Sequence, residues 1–370
     1  MAVSCQTIVN LLEGYAPKKI AEEWDNVGLQ IGSPSQSVST VYLSLDLNEA
    51  VLDEAVALGA EMLVIHHTPF FKPLKNLRTD LPGGKLIQKI VQQGINLYTA
   101  HTNLDATVGG VNDVLASKLG LQQVELLTES WQEKLYKLVV FVPIEFTEKV
   151  RNAICQVGAG WIGNYSHCTF GIMGTGTFLP LEGTQPFIGH KGKLEKVDET
   201  RIETIIPESR LSRVVKAMLK AHPYEEVAYD LYPLANEGKK AGIGRIGYLS
   251  NTVRLKEFID LVKEKLALSM VRYCGDLEKK VEKVALCGGS GASYISRAAF
   301  LGADVYLTAD LKYHEAQDAL ARGLALVDAG HYGTEQPVIA TVAAYLQQEL
   351  IKNEVKVYVS QINSDPFCFI

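Results

Sequence analysis

Residue types that bind metals occur at separated places along the chain, each just after a short apolar run. They are His66, His67, Asp105, His331 and Glu335. Three histidines and two carboxylates are too few for two separate closed sites. They suit two divalent ions that share one bridging carboxylate and keep open positions for water or substrate. This combination indicates hydrolytic metal chemistry.

Each residue also has an ordinary interpretation when it is considered alone. An isolated His-His pair is compatible with one core histidine and one loop histidine, and Asp105 with a turn or cap residue. The three apolar runs, however, are typical of strands in an open α/β sheet, which places ligands at the carboxyl ends of its strands. The joint pattern therefore favours one common site over unrelated side chains.

Glu335 is the candidate for the bridging carboxylate. Thr334 suits the N-cap of a helix that runs through Val338 to Leu350, which puts Glu335 in the first helical turn, where the dipole favours a carboxylate. His331 then lies on the approach loop, so helical spacing between His331 and Glu335 is not assumed. Imidazole together with carboxylate suits zinc, iron or manganese, and differs from the all-oxygen sites of calcium.

Two further segments have a chemical and a structural interpretation of similar weight. The glycine-rich run Cys287–Ser293 joins a predicted strand to a predicted helix. Gly289, Ser290 and Gly291 are therefore candidates for binding an anionic group of the substrate at the helix N-terminus; the alternative is a tight packing turn. His314 follows another strand and is either a proton-transfer residue or a solvated residue at the start of a helix.

The composition is that of an ordinary globular protein. Of the 370 residues, 47% are hydrophobic and 21% are charged, and the formal net charge is −6. This balance disfavours a nucleic-acid partner, because phosphates require a basic surface. No apolar run approaches the roughly 18–20 residues of a membrane span, and the N-terminal segment lacks the pattern of a signal peptide. We therefore expect no membrane association.

The cysteines give a consistent indication of compartment. The six are scattered and form no C-x-x-C pair, which disfavours a zinc finger or a redox motif. Buried free thiols are the ordinary interpretation in a chain of this length, and they fit a reducing cytoplasm. We expect a cytoplasmic protein.

The elements that would carry the candidate ligands follow an alternating strand and helix pattern. Near-continuous apolar strands between amphipathic helices indicate largely parallel or mixed sheets that are flanked by helices. In the first third, strands are predicted at 41–46, 61–67 and 95–101. The pattern returns near the end of the chain, with strands predicted at 281–288, 303–308, 324–328 and 355–360.

A different pattern separates these two halves. Its strands and helices follow a β-α-β…β-α-β order, which resembles a ferredoxin-like α+β unit. A glycine- and lysine-containing run at 238–244 marks its exit as a linker. We therefore predict one discontinuous α/β domain, residues 1–127 plus 244–370, and one inserted α+β domain, residues 128–243.

These segments together resemble the Nif-three-like family of dinuclear-metal proteins, whose members are often labelled GTP cyclohydrolase I type 2 homologues. The resemblance covers nearly the whole chain, and its motifs are highly specific in combination. They are Glu23–Leu29, Ile65–Phe70, His101–Asp105, Cys287–Gly291, Thr308–Asp310 with His314, and Gly330–Glu335.

The resemblance implies a site and an assembly. It implies that His67 and Asp105 hold one divalent ion, that His66 and His331 hold the other, and that Glu335 bridges them, with zinc as the first choice and iron or manganese as alternatives. It places His101 at the cavity wall or behind the ligands. It also implies a PII- or CutA-like insert and a toroidal homohexamer.

The resemblance further implies a reaction, which we state as an expectation. A metal-activated water would attack the purine ring of a nucleotide, in the manner of a GTP cyclohydrolase, with His101 or His314 moving protons. The alternative is a non-enzymatic metal-binding regulator whose insert recognises a small molecule or a protein partner.

Overall fold

The computed structural model describes residues 2–72 and 74–368. The chain divides into two compact units. Unit 1 is discontinuous and consists of Met1–Trp131 with Ala241–Ile370. Unit 2 is the continuous segment Gln132–Lys240. Each unit has its own larger sheets and its own core.

The first segment of unit 1 alternates strands with helices. In chain order the elements are β1 (Val3–Ser4), α1 (Cys5–Tyr15), β2 (Gly28–Ile31), β3 (Ser37–Val38), β4 (Thr40–Ser44), α2 (Glu49–Ala57), β5 (Met62–Ile65), α3 (Pro82–Gln92), β6 (Asn96–Thr99), α4 (Thr102–Ala106), α5 (Val111–Lys118), β7 (Gln122–Leu126) and the short β8 (Trp131–Gln132) at the boundary.

Unit 2 contains a four-stranded antiparallel sheet with two helices. Its elements are β9 (Leu135–Pro143), α6 (Thr147–Gln156), β10 (Thr169–Phe178), β11 (Glu195–Pro207), α7 (Leu211–Ala221) and β12 (Tyr229–Leu234). The strand order is β10-β11-β9-β12. The core of unit 2 combines apolar residues of the sheet, such as Val140 and Ile202, with Ile154 of α6 and Met218 of α7.

The second segment of unit 1 follows the short β13 (Lys240–Ala241). Its elements are β14 (Arg245–Arg254), α8 (Leu255–Leu266), β15 (Arg272–Cys274), β16 (Lys280–Ser290), α9 (Ile295–Phe300), β17 (Val305–Ala309), α10 (Tyr313–Ala321), β18 (Ala325–Asp328), α11 (His331–Glu335), α12 (Pro337–Leu350) and β19 (Lys356–Val359).

Unit 1 contains two larger mixed sheets. One has the order β19-β4-β5-β6-β2, and the other has the order β15-β18-β17-β16-β14-β7. Strands β19, β4, β5 and β6 run parallel, as do β16, β17 and β18, and the remaining strands in these sheets are antiparallel to their neighbours. This arrangement confirms the predicted mixed α/β fold with helix-flanked sheets.

The central strands are buried on both faces because helices cover both sides of the sheet. Successive side chains of β4 alternate: Val41 and Leu43 pack with α1 and α12, whereas Tyr42 packs on the opposite face near Leu52 of α2. An apolar residue is therefore favoured at every position of such a strand, which explains the continuous hydrophobic runs in the sequence.

The candidate ligands follow the ends of adjacent parallel strands. Ile65, the last residue of β5, is paired with Thr99, the last residue of β6. In the other sheet, Thr308 of β17 is paired with Asp328, the last residue of β18. The segments that leave these strand ends carry the predicted site residues, as expected for the carboxyl edge of a parallel sheet.

A buried arginine joins the two segments of unit 1. Arg245 is 2% exposed and forms a bidentate ion pair with Asp113 on α5, in which Nε and Nη2 each donate to one carboxylate oxygen. Its remaining donors reach the carbonyl oxygens of Gly242, Gly244 and Thr107 at 2.8–3.1 Å. The guanidinium is therefore fully hydrogen-bonded, which a buried charge requires.

In the part of the chain that the structure describes, no helix is both long enough and apolar enough to cross a membrane.

Candidate metal centre

The chain turns sharply at the end of β5, which allows His66 and His67 to face one site. The backbone N–H groups of both residues donate to the carbonyl oxygen of Leu45, at 3.1 and 3.0 Å. Nδ1 of His66 donates to the carbonyl oxygen of Ala100 at 2.8 Å. This bond fixes the tautomer of His66, so its Nε2 carries no hydrogen and has a free lone pair.

His67 is oriented by a carboxylate. Its Nδ1 lies 2.6 Å from Oδ1 of Asp46, two residues after the end of β4. Its Nε2 lies 2.9 Å from Oε2 of Glu335 and 3.2 Å from Nε2 of His331. His67 therefore directs its second nitrogen toward residues that come from the far end of the chain.

His331 and Glu335 occupy one short helix, which corrects the prediction made for this segment. Glu335 was expected to follow an N-cap at Thr334, with His331 on a loop. Instead α11 spans both residues, so His331 Nε2 and Glu335 Oε2 lie 3.2 Å apart with i,i+4 spacing. The Thr334 hydroxyl donates to the carbonyl oxygens of Gly330 and His331 and accepts from the N–H of Gly289. It therefore ties α11 to β16 rather than capping α12.

Asp105 lies on α4, directly after the end of β6. Its Oδ1 is 3.6 Å from Nε2 of His66, and that nitrogen is 3.8 Å from Oε2 of Glu335. All five predicted ligands therefore come together. Their atoms form two overlapping groups, His66 with Asp105 and Glu335, and His67 with His331 and Glu335.

These groups differ from the pairing that the resemblance implied. His66 was expected beside His331, and His67 beside Asp105. The hydrogen bond from His66 to Ala100 turns the free nitrogen of His66 toward α4, whereas the bond to Asp46 turns that of His67 toward α11. Glu335 belongs to both groups, as expected for a shared carboxylate.

Two buried polar atoms of this cluster, Nε2 of His66 and Oδ1 of Asp105, have no hydrogen-bond partner. Oε2 of Glu335 is buried beside them, and it lies 2.9 and 3.2 Å from the Nε2 atoms of His67 and His331. Buried polar atoms without partners are costly and rare, and each calls for a physical explanation. Their nitrogen and oxygen lone pairs face one another, so the donor set fits a divalent transition-metal ion.

The charges of the cluster depend on burial and on neighbouring groups. Burial lowers the pKa of His66 to about 3. Burial also opposes a charge on His67, but hydrogen bonds to Asp46 and Glu335 outweigh it and raise the pKa of His67 to about 10. The pKa of His331 rises to about 9 for the same reason, through Glu335 and Asp310. The protonated imidazoles of His67 and His331 must each lose a proton before they can bind a metal ion.

The pKa values of the two carboxylates in the cluster are shifted in opposite directions. Burial and the nearby charge of Glu335 raise the pKa of Asp105 well above its ordinary value. For Glu335, burial acts in the same direction, but hydrogen bonds from His331 and His67 prevail and hold its pKa below the ordinary range. Glu335 is therefore the anionic centre of the cluster.

Three supporting carboxylates were not among the predicted site residues. Asp46 bonds His67, Asp310 lies 2.6 Å from Nδ1 of His331, and Asp25 lies 2.9 Å from Nδ1 of His101. Such partners orient imidazole ligands and increase their basicity. Asp46 and Asp310 could have been found by the same signal as the ligands, because each follows the end of an apolar strand.

His101 lies beside the cluster. One of its ring nitrogens falls within the same small volume as a nitrogen of His66 and one of His67. The His101 ring also packs edge-on against Phe71 and Trp24, with centroids 5.6 and 6.0 Å away. His101 thus stands between the cluster and an aromatic wall.

The cluster opens into a large cavity of about 1100 Å³. Its described lining includes Trp24, Phe71, His101 and Tyr294. Arg272 is the single lysine or arginine among the described lining residues, and it is already paired with Asp328. The wall is therefore apolar with acidic groups rather than basic.

The glycine-rich turn after β16 has a steric role. A Cβ at Gly289 would lie 2.1 Å from Oε1 of Glu335, and Gly289 has a positive φ of 62°. The N–H groups of Gly288 and Gly289 already donate to Asn112 and Thr334.

The helix that follows this turn, α9, has only six residues. These contacts favour the packing turn over the predicted anion site at Gly289, Ser290 and Gly291. Ser290 lines the cavity and donates to Asp310 at 2.6 Å.

His314 lies apart from these residues. It is exposed on α10, its Nδ1 is 3.1 Å from Oε1 of Gln317, and it is not among the described residues that line the cavity. In this single chain, the alternative of a solvated residue near the start of a helix therefore describes His314 better than the proton-transfer role does.

Comparison with known proteins places this geometry in a family context. Residues 3–366 match the family described as Duf34/NIF3 (NGG1p interacting factor 3). A protein of Halalkalibacterium halodurans named GTP cyclohydrolase 1 type 2 homolog is 48% identical, over 99% of this chain and 98% of its own. A Bacillus subtilis protein of the same name is 45% identical, over 100% and 99%.

A solved structure has the same fold. The crystal structure of a Bacillus cereus protein related to NIF3 is 47% identical in sequence and superimposes with a TM-score of 0.93. The match covers 100% of this chain and 99% of that one. The similarity thus extends through both units of the chain.

Proposed function

Because this chain belongs to the Duf34/NIF3 family, we propose that its His and carboxylate cluster makes it a metal-dependent hydrolase. The proposed reaction is of the GTP cyclohydrolase type, the hydrolytic opening of a purine ring. The name shared by the relatives supports the reaction class. The observation that carries the proposal is the pair of buried, unpartnered atoms on His66 and Asp105, which lie 3.6 Å apart beside the buried carboxylate of Glu335.

We assign the proposed ligands from the distances in the cluster. His66 and Asp105 would hold one divalent ion, His67 and His331 the other, and Glu335 would be common to both. Zinc is our first choice, with iron or manganese as alternatives. When bound, such ions supply a nucleophile from water near neutral pH and polarise the group under attack.

The residues around the cluster would orient the reactants. Asp46 and Asp310 fix the rings of His67 and His331, and Asp25 fixes His101. Because Nδ1 of His101 is engaged by Asp25, its other nitrogen is the group that would accept or return a proton at the cavity wall. The exposed position of His314 favours His101 for this role.

The cavity supports a planar ring as the reacting part of the substrate. Trp24 and Phe71 stand at its wall and are 60% and 51% exposed, so each offers a free face for stacking. The paired state of Arg272 gives little support to direct recognition of a triphosphate. Guanosine should therefore be compared with GTP.

We also propose a role for the insert and an assembly. The strand order and two helices of residues 128–243 support a ferredoxin-like, PII- or CutA-like module that senses a ligand. The outer strand β10 exposes Phe170 (64%), Ile172 (47%) and Met173 (72%), which supports self-association into the proposed homohexamer. Sedimentation equilibrium should give six chains per particle.

Turnover by the metal-loaded protein tests the proposed function. Protein loaded with zinc, iron(II) or manganese is incubated with GTP and with guanosine, and formate release and purine absorbance are followed. We expect product only with metal, and loss of product in the His101→Ala variant at unchanged metal content. Absence of turnover with all three metals, at full occupancy, would contradict the proposed reaction.

A further inference from the structure

Unit 2 contains a cavity of its own, with a volume of about 410 Å³. It lies where β9, β10 and β11 are covered by the segments 178–188 and 224–228. Every described residue of its lining belongs to unit 2. Its size is within the range of small-molecule sites, which is about 300–1,000 Å³. The hydrolytic proposal makes no use of this cavity.

Aromatic rings form much of the wall. The Tyr224 ring lies between two phenylalanine rings. Its centroid is 5.9 Å from that of Phe178 and 6.4 Å from that of Phe187. Phe141 lines the cavity from β9. The faces of aromatic rings carry a negative quadrupole, so several rings around one space favour a cation.

A buried carboxylate also lines this cavity. Glu199 on β11 is 8% exposed and lines the cavity. One of its oxygens, Oε1, accepts a hydrogen bond from the Tyr224 hydroxyl at 3.0 Å. Burial and this bond raise the pKa of the Tyr224 phenol, so the hydroxyl remains a donor. The other oxygen of Glu199 accepts no hydrogen bond in the described part of the chain.

Close packing at a glycine leaves room for this oxygen. A Cβ at Gly176 on β10 would lie 2.2 Å from Oε2 of Glu199. A larger residue at position 176 would therefore displace the carboxylate. The absence of a side chain at Gly176 allows Glu199 to keep its position against the cavity.

Among the described residues that line the cavity, no basic side chain compensates the negative charge of Glu199. The described lining contains Glu199, Glu225 and Glu226, and no lysine, arginine or histidine among them. Glu225 accepts the N–H of Gln185 at 2.7 Å. The nearby Arg201 is instead paired with Glu203 at 2.9 Å. The cavity is therefore anionic and aromatic, and it is unsuited to a phosphate or a carboxylate ligand.

We propose that this cavity binds a small organic cation, an amine or quaternary ammonium with an apolar body. The Phe178, Phe187 and Tyr224 rings surround the cationic head, and Glu199 supplies the opposite charge. The apolar body contacts Phe141 and the residues of the 178–188 segment. This site is distinct from the metal cluster, and it assigns a ligand class to the insert.

Two matched pairs of probes test the proposal with the full-length protein. One pair is choline and 3,3-dimethylbutan-1-ol, which differ in a nitrogen for a carbon and hence in charge. The other is benzylammonium and benzyl alcohol. Binding is measured by ligand-observed NMR and by calorimetry. We expect the cation of at least one pair to bind about tenfold more tightly than its neutral partner.

Variants assign the binding to this cavity. Glu199→Gln keeps the shape and the acceptor for Tyr224 but removes the charge, and should lower cation affinity about tenfold. Phe187→Leu keeps an apolar side chain but removes an aromatic ring, and it should also weaken binding of the cation. Asp198→Asn, an exposed position on the same strand outside the lining, is the matched control and should bind as the unaltered protein does.

The outcomes are separable. Equal affinity for the cationic and neutral partners of both pairs would overturn the proposal, as would no detectable binding of either cation. Cation binding that Glu199→Gln and Phe187→Leu leave unchanged would also overturn it, because the ligand would then lie elsewhere. Thermal unfolding of each variant verifies that the fold is retained. None of these results depends on metal content or turnover.

Discussion

The Nε2 atoms of His67 and His331 lie 3.2 Å apart, although 264 residues separate the two histidines in sequence. Oε2 of Glu335 completes a triangle with them, at 2.9 and 3.2 Å. Two ring nitrogens at this distance cannot both point hydrogens at each other. Without a metal ion, both N–H groups can point at Oε2 of Glu335, and with one bound, both nitrogens can present lone pairs to it.

Replacement of the shared carboxylate should empty both metal positions. Glu335→Gln keeps the size of the side chain but removes the charge, so we expect the metal content to fall from two ions per chain to less than one. Elemental analysis after gel filtration measures it. Glu349→Gln, on an exposed turn of α12, is the control. A Glu335→Gln protein that retains two ions would exclude Glu335 as the shared ligand.

A methyl group at Gly289 should displace Glu335. Gly289→Ala meets the Glu335 oxygen at 2.1 Å and has a positive φ. Gly323→Ala has a similar φ of 75° with nothing within 4 Å, so it shares the backbone strain of about 1 kcal/mol without the clash. Gly289→Ala should lose more thermal stability than Gly323→Ala because of the clash, and only Gly289→Ala should lose metal. Equal metal content in the two variants would refute the steric role.

Metal binding should release protons. The pKa values of about 10 for His67 and about 9 for His331 mean that both rings are protonated near neutral pH, and a metal ion binds only the neutral forms. We expect zinc to displace about two protons at about pH 7.5, and its affinity to fall as the pH falls. Calorimetry in buffers of different ionisation enthalpy counts these protons. Zinc binding without proton release would contradict these charge states.

Loss of a supporting carboxylate should weaken metal binding without removing a ligand. Asp46→Asn abolishes the charged partner of His67, and we expect metal affinity to drop about 10- to 100-fold. Competition with a chromogenic chelator measures the change. Asp53→Asn, in an exposed pair with Lys89, serves for comparison. Identical affinities in the two variants would show that Asp46 does not tune the cluster.

Removal of the buried arginine should destabilise unit 1. Arg245→Ala leaves the charge of Asp113 without its cationic partner and removes a donor from three carbonyl oxygens, so we expect a loss of about 3–5 kcal/mol in unfolding free energy. Urea denaturation measures this loss. Arg254→Ala, at the exposed end of the same strand, should change stability little. A small effect at Arg245 would show that the pair is dispensable.

The location of the site could be predicted from sequence because it depends on a general rule. His66, His67 and Asp105 each follow an apolar strand, and parallel strands end at a common edge. The ligand grouping could not be predicted in this way. It is set by backbone contacts such as the bond from His66 to the carbonyl oxygen of Ala100, and sequence patterns do not encode such contacts.

The helix at His331 shows a second limit of sequence reasoning. Thr334 resembled an N-cap because threonine before an apolar periodic run usually is one. In the structure its hydroxyl instead bonds Gly330, His331 and Gly289, and helix α11 begins three residues earlier. Tertiary contacts with β16 thus outweighed the local capping preference.

The last strand of the chain, β19, pairs in parallel with β4, near the beginning. Until residues 356–359 have left the ribosome, β4 has an open edge and the first sheet is incomplete. Glu335 likewise arrives only after nine-tenths of the chain has been made, so a nascent chain holds the imidazoles of His66 and His67 without their shared anion. A metal ion shared through Glu335 would therefore be bound only after residue 335 has been made, and a chain that stops before residue 356 would leave the edge of β4 open to pairing with another chain.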